Sequence, residues 1–163
     1  MRLYLLRHGH ALRNRDDTLR PLSATGKRSI TALAEFLASH AAFKHMPVWH
    51  SPLVRSIESA QLFTNALLWD ETQLTETGGL LPDDPPSRIA KVLKSHSKDT
   101  LIVGHEPHLS ALTSLLLTGK AEPAMIKIKK GALVCLQRKD TRGSGRKPPT
   151  WRVRWHINPE LYE

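Results

Sequence analysis

Arg and His are side chains that handle phosphate-like anions, and four of them fall at three telling points of the sequence: Arg7 and His8 in LYLLRHGHALRN, Arg55 in HSPLVRSIESAQ, and His105 in LIVGHEPHLS. Each stands at, or just past, the end of an apolar run. A guanidinium binds two oxyanion oxygens at once and keeps its charge at any physiological pH. A neutral imidazole can attack phosphorus and carry the phosphoryl group, which splits one difficult displacement into two. A set that is cationic or donating throughout suits a tetrahedral, multiply charged oxyanion, with phosphate the first choice. A basic protein could hold the same residues by chance, so their placement on the fold decides.

The elements that must position them read as alternating strands and helices. LYLL is a strand, and LSATGKRSITALAEFLASH is a helix with apolar residues at Ile30, Leu33, Ala34 and Leu37. PVWHSP is a short strand stopped by Pro52. SPLVRSIESAQLFTNALL is the next helix, with Ser51 as its N-cap and Pro52 at its first position. TETGGLLPDDPP reads as a turn-rich loop, SRIAKVLKSH as a helix, TLIVGH as a buried strand, and PHLSALTSLLL as a helix opened by Pro107. AMIKI, ALVCLQ and WRVRWHI read as strands. The pattern predicts an α/β domain with a mainly parallel central sheet and helices on both faces. Ligands of such sheets bind beyond the carboxyl ends of the strands. There Arg7 and His8, Ser51 to Arg55, and Gly104 with His105 would meet, and helix N-termini near Pro52 and Pro107 would add N–H donors.

A length of 163 residues predicts one domain, spanning 1–163. Lys and Arg number 24 against 15 Asp and Glu, a net charge of +9 that suggests anionic partners: nucleic acid, a membrane surface or phosphorylated molecules. Much of the excess lies between Lys127 and Arg154, a candidate polyanion contact, and within it residues 138–150 read as a flexible basic loop of a hairpin. The run Leu3 to Leu6 is too short for a signal peptide, and LSALTSLLLT breaks at Gly119, so no membrane contact is expected. The lone Cys135 excludes an internal disulfide and fits a reducing compartment. The expectation is a soluble, cytoplasmic domain. No Walker-type loop and no carboxylate cluster occur, so neither cofactor nor metal is expected. His105 and His108 stand three apart, without the further ligands that a zinc site needs.

Taken in order, the three motifs resemble the histidine phosphatase (phosphoglycerate mutase-like) superfamily: an apolar strand ending in Arg-His-Gly, then Ser-Pro-x-x-Arg, then Gly-His. The RHGxA form, the phrase RPLSATGKR, the short segment between Arg55 and His105, and WRVRWHINPEL are most similar to its SixA-type phosphohistidine phosphatase branch. The resemblance implies a three-layer sandwich and a metal-independent phosphatase. It makes His8 the nucleophile, passing through a phosphohistidine, and makes Arg7, Arg55 and His105 ligands of the transferring phosphoryl group. It also suggests Asn14 as a phosphate-side ligand through RHGxxxxN. His10 departs from the branch, whose members carry Asp or Glu there. Larger members protonate the leaving group with a loop carboxylate. Glu76 is the candidate here, ahead of Asp83 and Asp84, a solvated loop residue being the plain alternative. A phosphoramidate, whose imidazole leaves readily once protonated, requires less of such an acid.

The implied substrate is phosphohistidine in a protein. A small phosphorylated molecule, hydrolysed as a phosphomonoester, is the alternative. A mutase needs an enclosed site that so short a chain would not build. A non-catalytic module binding phosphate or polyanions is a third reading. Around the site, His108 is expected to line the pocket and to meet substrate, and Ser23 to cap the following helix. Arg20 and Pro21 would shape a rim, Glu58 would pair with Arg55 or stay on the surface, and Glu106 would be exposed.

Overall fold

Alternation along the first strand sets the layers. β1 (Arg2–Arg7) is covered on both faces, so successive side chains enter different cores. Tyr4 and Leu6 join Ile30, Leu33, Ala34 and Leu37 of α1 (Ala24–His40) and Ala60 and Phe63 of α2 (Val54–Ala66). Leu3 and Leu5 join Ile89 and Leu93 of α3 (Ser87–Ser95) and Leu109 and Leu112 of α4 (His108–Thr118). Each Leu, Ile or Phe among them, removed from water, stabilises the fold by about 1.5–3 kcal/mol. The computed structural model describes residues 1–40, 43–69, 74–139 and 150–163.

The remaining strands are β2 (Val48–His50), β3 (Leu74–Glu76), β4 (Thr100–Gly104), β5 (Leu133–Arg138) and β6 (Trp151–Ile157). They form one sheet in the order β3-β2-β4-β1-β5-β6. β3, β2, β4 and β1 run parallel, so their carboxyl ends share one edge. β5 runs antiparallel to β1 and to β6, and therefore begins at that same edge. This is the mostly parallel α/β sandwich that the sequence predicts. Among the described residues no helix is long and apolar enough to cross a membrane.

Several local expectations are corrected. Part of the stretch expected to be loop forms β3, whose Leu74, Thr75 and Glu76 pair with β2. AMIKI is not a strand: the Met125 N–H is taken by Ser114 Oγ at 2.7 Å and the Ile128 N–H by Glu106 Oε1 at 2.7 Å, so side chains replace a ladder. Helix α2 starts at Val54, with Leu53 at the cap position and no side-chain cap, so Ser51 is released for another partner. The hairpin of β5 and β6 is present, with Arg138 opposite Trp151. Of the basic loop expected at 138–150, residues 140–149 lie outside the described residues.

Candidate active site

Strand register brings the motifs together. In the parallel pairing of β1 with β4, Arg7 stands beside Gly104, so the next residues, His8 and His105, leave the sheet side by side. The His8 N–H donates to the Gly104 carbonyl at 3.1 Å, and the two imidazole centroids lie 4.9 Å apart. On the other side of β4, His50 stands beside Val103, and the Ser51 N–H reaches the Val103 carbonyl at 3.4 Å. α2 then carries Arg55 back over the same edge.

Close packing holds the first of these turns. A Cβ on Gly9 would lie 2.7 Å from the Gly26 carbonyl oxygen, and one on Gly26 would lie 2.1 Å from the His10 oxygen. Only glycines allow α1 to approach so near. The Gly9 N–H donates to Ser59 Oγ at 3.1 Å, while the Ser59 hydroxyl donates to the Arg55 carbonyl at 2.7 Å, tying the Arg-His-Gly turn to α2. Ser23 caps α1 as expected, its Oγ accepting the Gly26 N–H at 3.0 Å. Glu58 does not pair with Arg55. Its carboxylate accepts the Leu22 N–H at 2.6 Å, where an Ala11–Leu22 bridge closes the loop that leaves and re-enters the site.

His8 is 6 % exposed, and its Nδ1 lies 2.7 Å from the Gly9 carbonyl oxygen. A carbonyl can only accept, so this bond assigns the proton to Nδ1 and leaves the lone pair on Nε2. Burial pushes the imidazole pKa down to about 3, against the Gly9 bond, with Arg55, Arg7 and Lys130 adding to the fall. The ring is therefore neutral at physiological pH. His105, 1 % exposed, is pushed to about 2 by burial, His8 and Arg55. Its Nε2 lies 2.5 Å from Ser51 Oγ, and its Nδ1 is buried without a partner.

The two guanidiniums differ in their supports. Arg7 donates through Nη1 to the Ile128 carbonyl at 2.9 Å, and its buried Nε has no partner. Arg55, 4 % exposed, donates to the Asp17 carbonyl at 2.7 Å and to the Asp17 carboxylate at 2.9 Å. Because β5 begins at this edge, Lys130 adds a further cation. Burial, then Arg7, Arg20 and Arg55, lower its pKa. Gly131 makes this possible: at φ +79° its N–H turns onto the Arg7 and His8 carbonyls at 3.1 and 3.2 Å.

Of the other expected residues, Asn14 and Glu76 stand apart from these groups. Asn14 is exposed, its side-chain oxygen accepting the Asp16 N–H at 3.2 Å within its own loop. Glu76 ends β3, three strands from β1, roughly 14 Å away at ordinary strand spacing. His108 is 1 % exposed with neither ring nitrogen bonded, and burial lowers its pKa. Glu106 is half-buried, not exposed: it accepts the Ile128 N–H and also bonds the Ser110 hydroxyl. Among the described residues no three His, Cys, Asp or Glu side chains gather as metal ligands. Asp17, Lys130 and Glu106 are thus groups at this edge beyond those expected to act there. None is a motif residue: Asp17 lies in a charged loop, Lys130 in the basic stretch that begins at Lys127, and Glu106 beside His105.

The parallel sheet and the grouping of Arg7, His8, Arg55 and His105 at its edge agree with the resemblance read from the sequence. The model of the histidine phosphatase superfamily (branch 1) matches residues 3–80, the part of the chain that carries Arg7, His8 and Arg55. Among solved structures, the protein histidine phosphatase SixA complexed with tungstate superposes with a TM-score of 0.84 at 20% identity, covering 100% of both chains. The alpha-ribazole phosphatase from Shigella flexneri gives 0.72 at 19% identity, over 94% of this chain and 95% of its own. A mycobacterial glucosyl-3-phosphoglycerate phosphatase gives 0.70 at 17% identity, over 94% and 96%. At these identities the likenesses establish the fold. A comparison with curated protein sequences finds no match.

Proposed function

We propose that the chain is a phosphatase that works through a phosphorylated His8, with phosphohistidine in a protein as its substrate. The observation that carries this reading is the neutral His8 imidazole, held by Gly9 with Nε2 unprotonated, beside Arg7, Arg55 and His105. In the first step Nε2 attacks phosphorus, the bond from phosphorus to the leaving nitrogen breaks, and that nitrogen keeps the electron pair and takes a proton. In the second, water attacks the phosphohistidine, its proton is lost to solvent, and inorganic phosphate leaves as Nε2 regains its lone pair. Arg7 and Arg55 neutralise charge on the phosphoryl oxygens in both steps, and the neutral His105 ring donates a hydrogen bond to them. The family match to residues 3–80 and the SixA fold likeness support this choice. So does the position of Glu76, far from His8, since a phosphoramidate needs little help from an acid.

The fold likeness to alpha-ribazole phosphatase favours a second reading, hydrolysis of a small phosphomonoester. One experiment separates the two: hydrolysis of a phosphohistidine protein and of p-nitrophenyl phosphate, with EDTA present, by wild type and His8→Ala. Turnover of the phosphohistidine protein alone, lost in the variant, is the expected result. Turnover of the ester as well supports the second reading, and full activity in His8→Ala overturns the covalent route.

A further inference from the structure

We infer that Asp17 is a built-in competitor for the phosphate site: its carboxylate occupies Arg55 at rest and must be displaced when a phosphoryl group binds. The inference rests on the phosphate-binding role proposed above for Arg55.

The loop between β1 and α1 reaches back over the sheet edge, and a 3-10 turn at Asp17–Leu19 brings Asp17 to Arg55. Two bonds join these residues, and they differ in kind. The backbone carbonyl of Asp17 accepts from Arg55 Nη1 at 2.7 Å, which fixes the guanidinium plane without adding a full charge. The carboxylate accepts from Nη2 at 2.9 Å, which is the bond that a phosphate oxygen would make. The same carboxylate accepts from Arg20 at 2.9 Å. Its charge also reaches His105, whose protonation it favours. One anionic group therefore faces Arg20, Arg55 and the buried His105, as an incoming phosphoryl group would.

Exposure makes the group displaceable. The Arg55 side chain is 5% exposed and cannot leave, whereas that of Asp17 is 61% exposed. The carboxylate can rotate away without a desolvation cost, keep its bond to Arg20, and leave Arg55 held by the Asp17 carbonyl. Asp16 caps the turn through the Thr18 N–H at 2.8 Å, so the turn does not depend on the Asp17 side chain. The consequence is selective. Inorganic phosphate, the product, must win Arg55 from Asp17 with few other contacts, while a substrate attached to a larger molecule brings additional ones.

The test is isothermal titration of inorganic phosphate into wild type, Asp17→Asn and Asp17→Glu. Asp17→Asn keeps the backbone bond and the turn but removes the competing charge, and is expected to bind phosphate about three- to tenfold more tightly. Asp17→Glu, which restores a carboxylate, is expected to fall back toward wild type. Equal or weaker binding by Asp17→Asn, with wild-type binding intact and lost in Arg55→Ala, overturns the competitor alone. No phosphate binding by any of the proteins overturns it together with the proposed function.

Discussion

The hydroxyl of Ser51, at the end of β2, lies 2.5 Å from Nε2 of His105, at the end of β4. Oγ accepts the Leu53 N–H at 3.4 Å, and among the described residues Nε2 of His105 is the one acceptor within reach of the hydroxyl proton. That pattern assigns the imidazole proton to Nδ1, the nitrogen without a protein partner. The ring is thereby left with a buried N–H donor that no protein group takes. Ser51→Ala frees the tautomer and leaves a buried Nε2 unpaired. We expect kcat to fall about 10- to 100-fold, from the ~1–3 kcal/mol cost of such a loss, with Ser51→Thr recovering most of it. Steady-state kinetics on the phosphohistidine protein provides the check, and an unchanged kcat would remove Ser51 from the machinery.

A second relay supports Arg7. Glu106 Oε1 accepts the Ile128 N–H at 2.7 Å, and the carbonyl of Ile128 accepts from Arg7 Nη1 at 2.9 Å. One residue thus carries a carboxylate on its N–H side and a guanidinium on its carbonyl side. Glu106→Ala should let the 124–128 segment shift and loosen Arg7. We expect KM for the phosphohistidine protein to rise about tenfold, the equivalent of ~1.4 kcal/mol, with a smaller change in kcat. Glu106→Gln, which can still accept the N–H, should fall between the two. Equal losses of kcat and melting temperature in both variants, with KM unmoved, would mark Glu106 as purely structural.

The parts of this site that local pattern can specify were legible, and those made by distant contacts were not. Arg7, His8 and His105 follow apolar runs, and a parallel register alone sets Arg7 beside Gly104. Which face of each strand meets which helix also follows from alternation, as Leu3 and Leu5 against Tyr4 and Leu6 demonstrate. Ser51 reads as a cap because a Ser-Pro pair precedes a helix, whereas its His105 partner lies 54 residues away. Asp17 lies in RNRDDTLRP, a charged stretch whose plain reading is a solvated loop, and its tie to Arg55 spans 38 residues. AMIKI has strand composition, but its backbone groups find Glu106 and Ser114 before they find a ladder. β3 leaves no mark in the sequence because three residues at a sheet edge bury too little to impose a period.

Gly26 should be the least replaceable residue of α1. A methyl group there would stand 2.1 Å from the His10 oxygen and 2.7 Å from its nitrogen, against backbone that cannot swing aside. Relief requires the Arg-His-Gly turn and α1 to separate, so both stability and activity should fall. We expect Gly26→Ala to cost about 3 kcal/mol, lowering the melting temperature by roughly 10 °C. Gly78 is the control: a methyl group there would meet nothing within 4 Å, and Gly78→Ala should stay within about 0.5 kcal/mol of wild type. Calorimetric melting of the two variants compares them directly, and equal melting temperatures would show that α1 yields more easily than its contacts imply.

Stability should fall steeply with acid, and the two site imidazoles set the window. An unfolded histidine titrates near 6.5, whereas burial holds His8 at about 3 and His105 at about 2 in the fold. Between these limits the unfolded chain binds protons that the folded chain refuses. Stability is therefore fully present above about pH 6.5 and is lost as the pH falls toward 3. Each imidazole contributes a slope of up to about 1.4 kcal/mol per pH unit. Because His8 stays neutral across the window, its titration should add no acid limb to the activity until the fold itself fails. Denaturant melts of wild type and His105→Gln from pH 7 to pH 4 measure the slope. The variant should lose about one proton's share of it. An unchanged slope would mean that His105 takes up its proton in the folded state and so is charged beside Arg55.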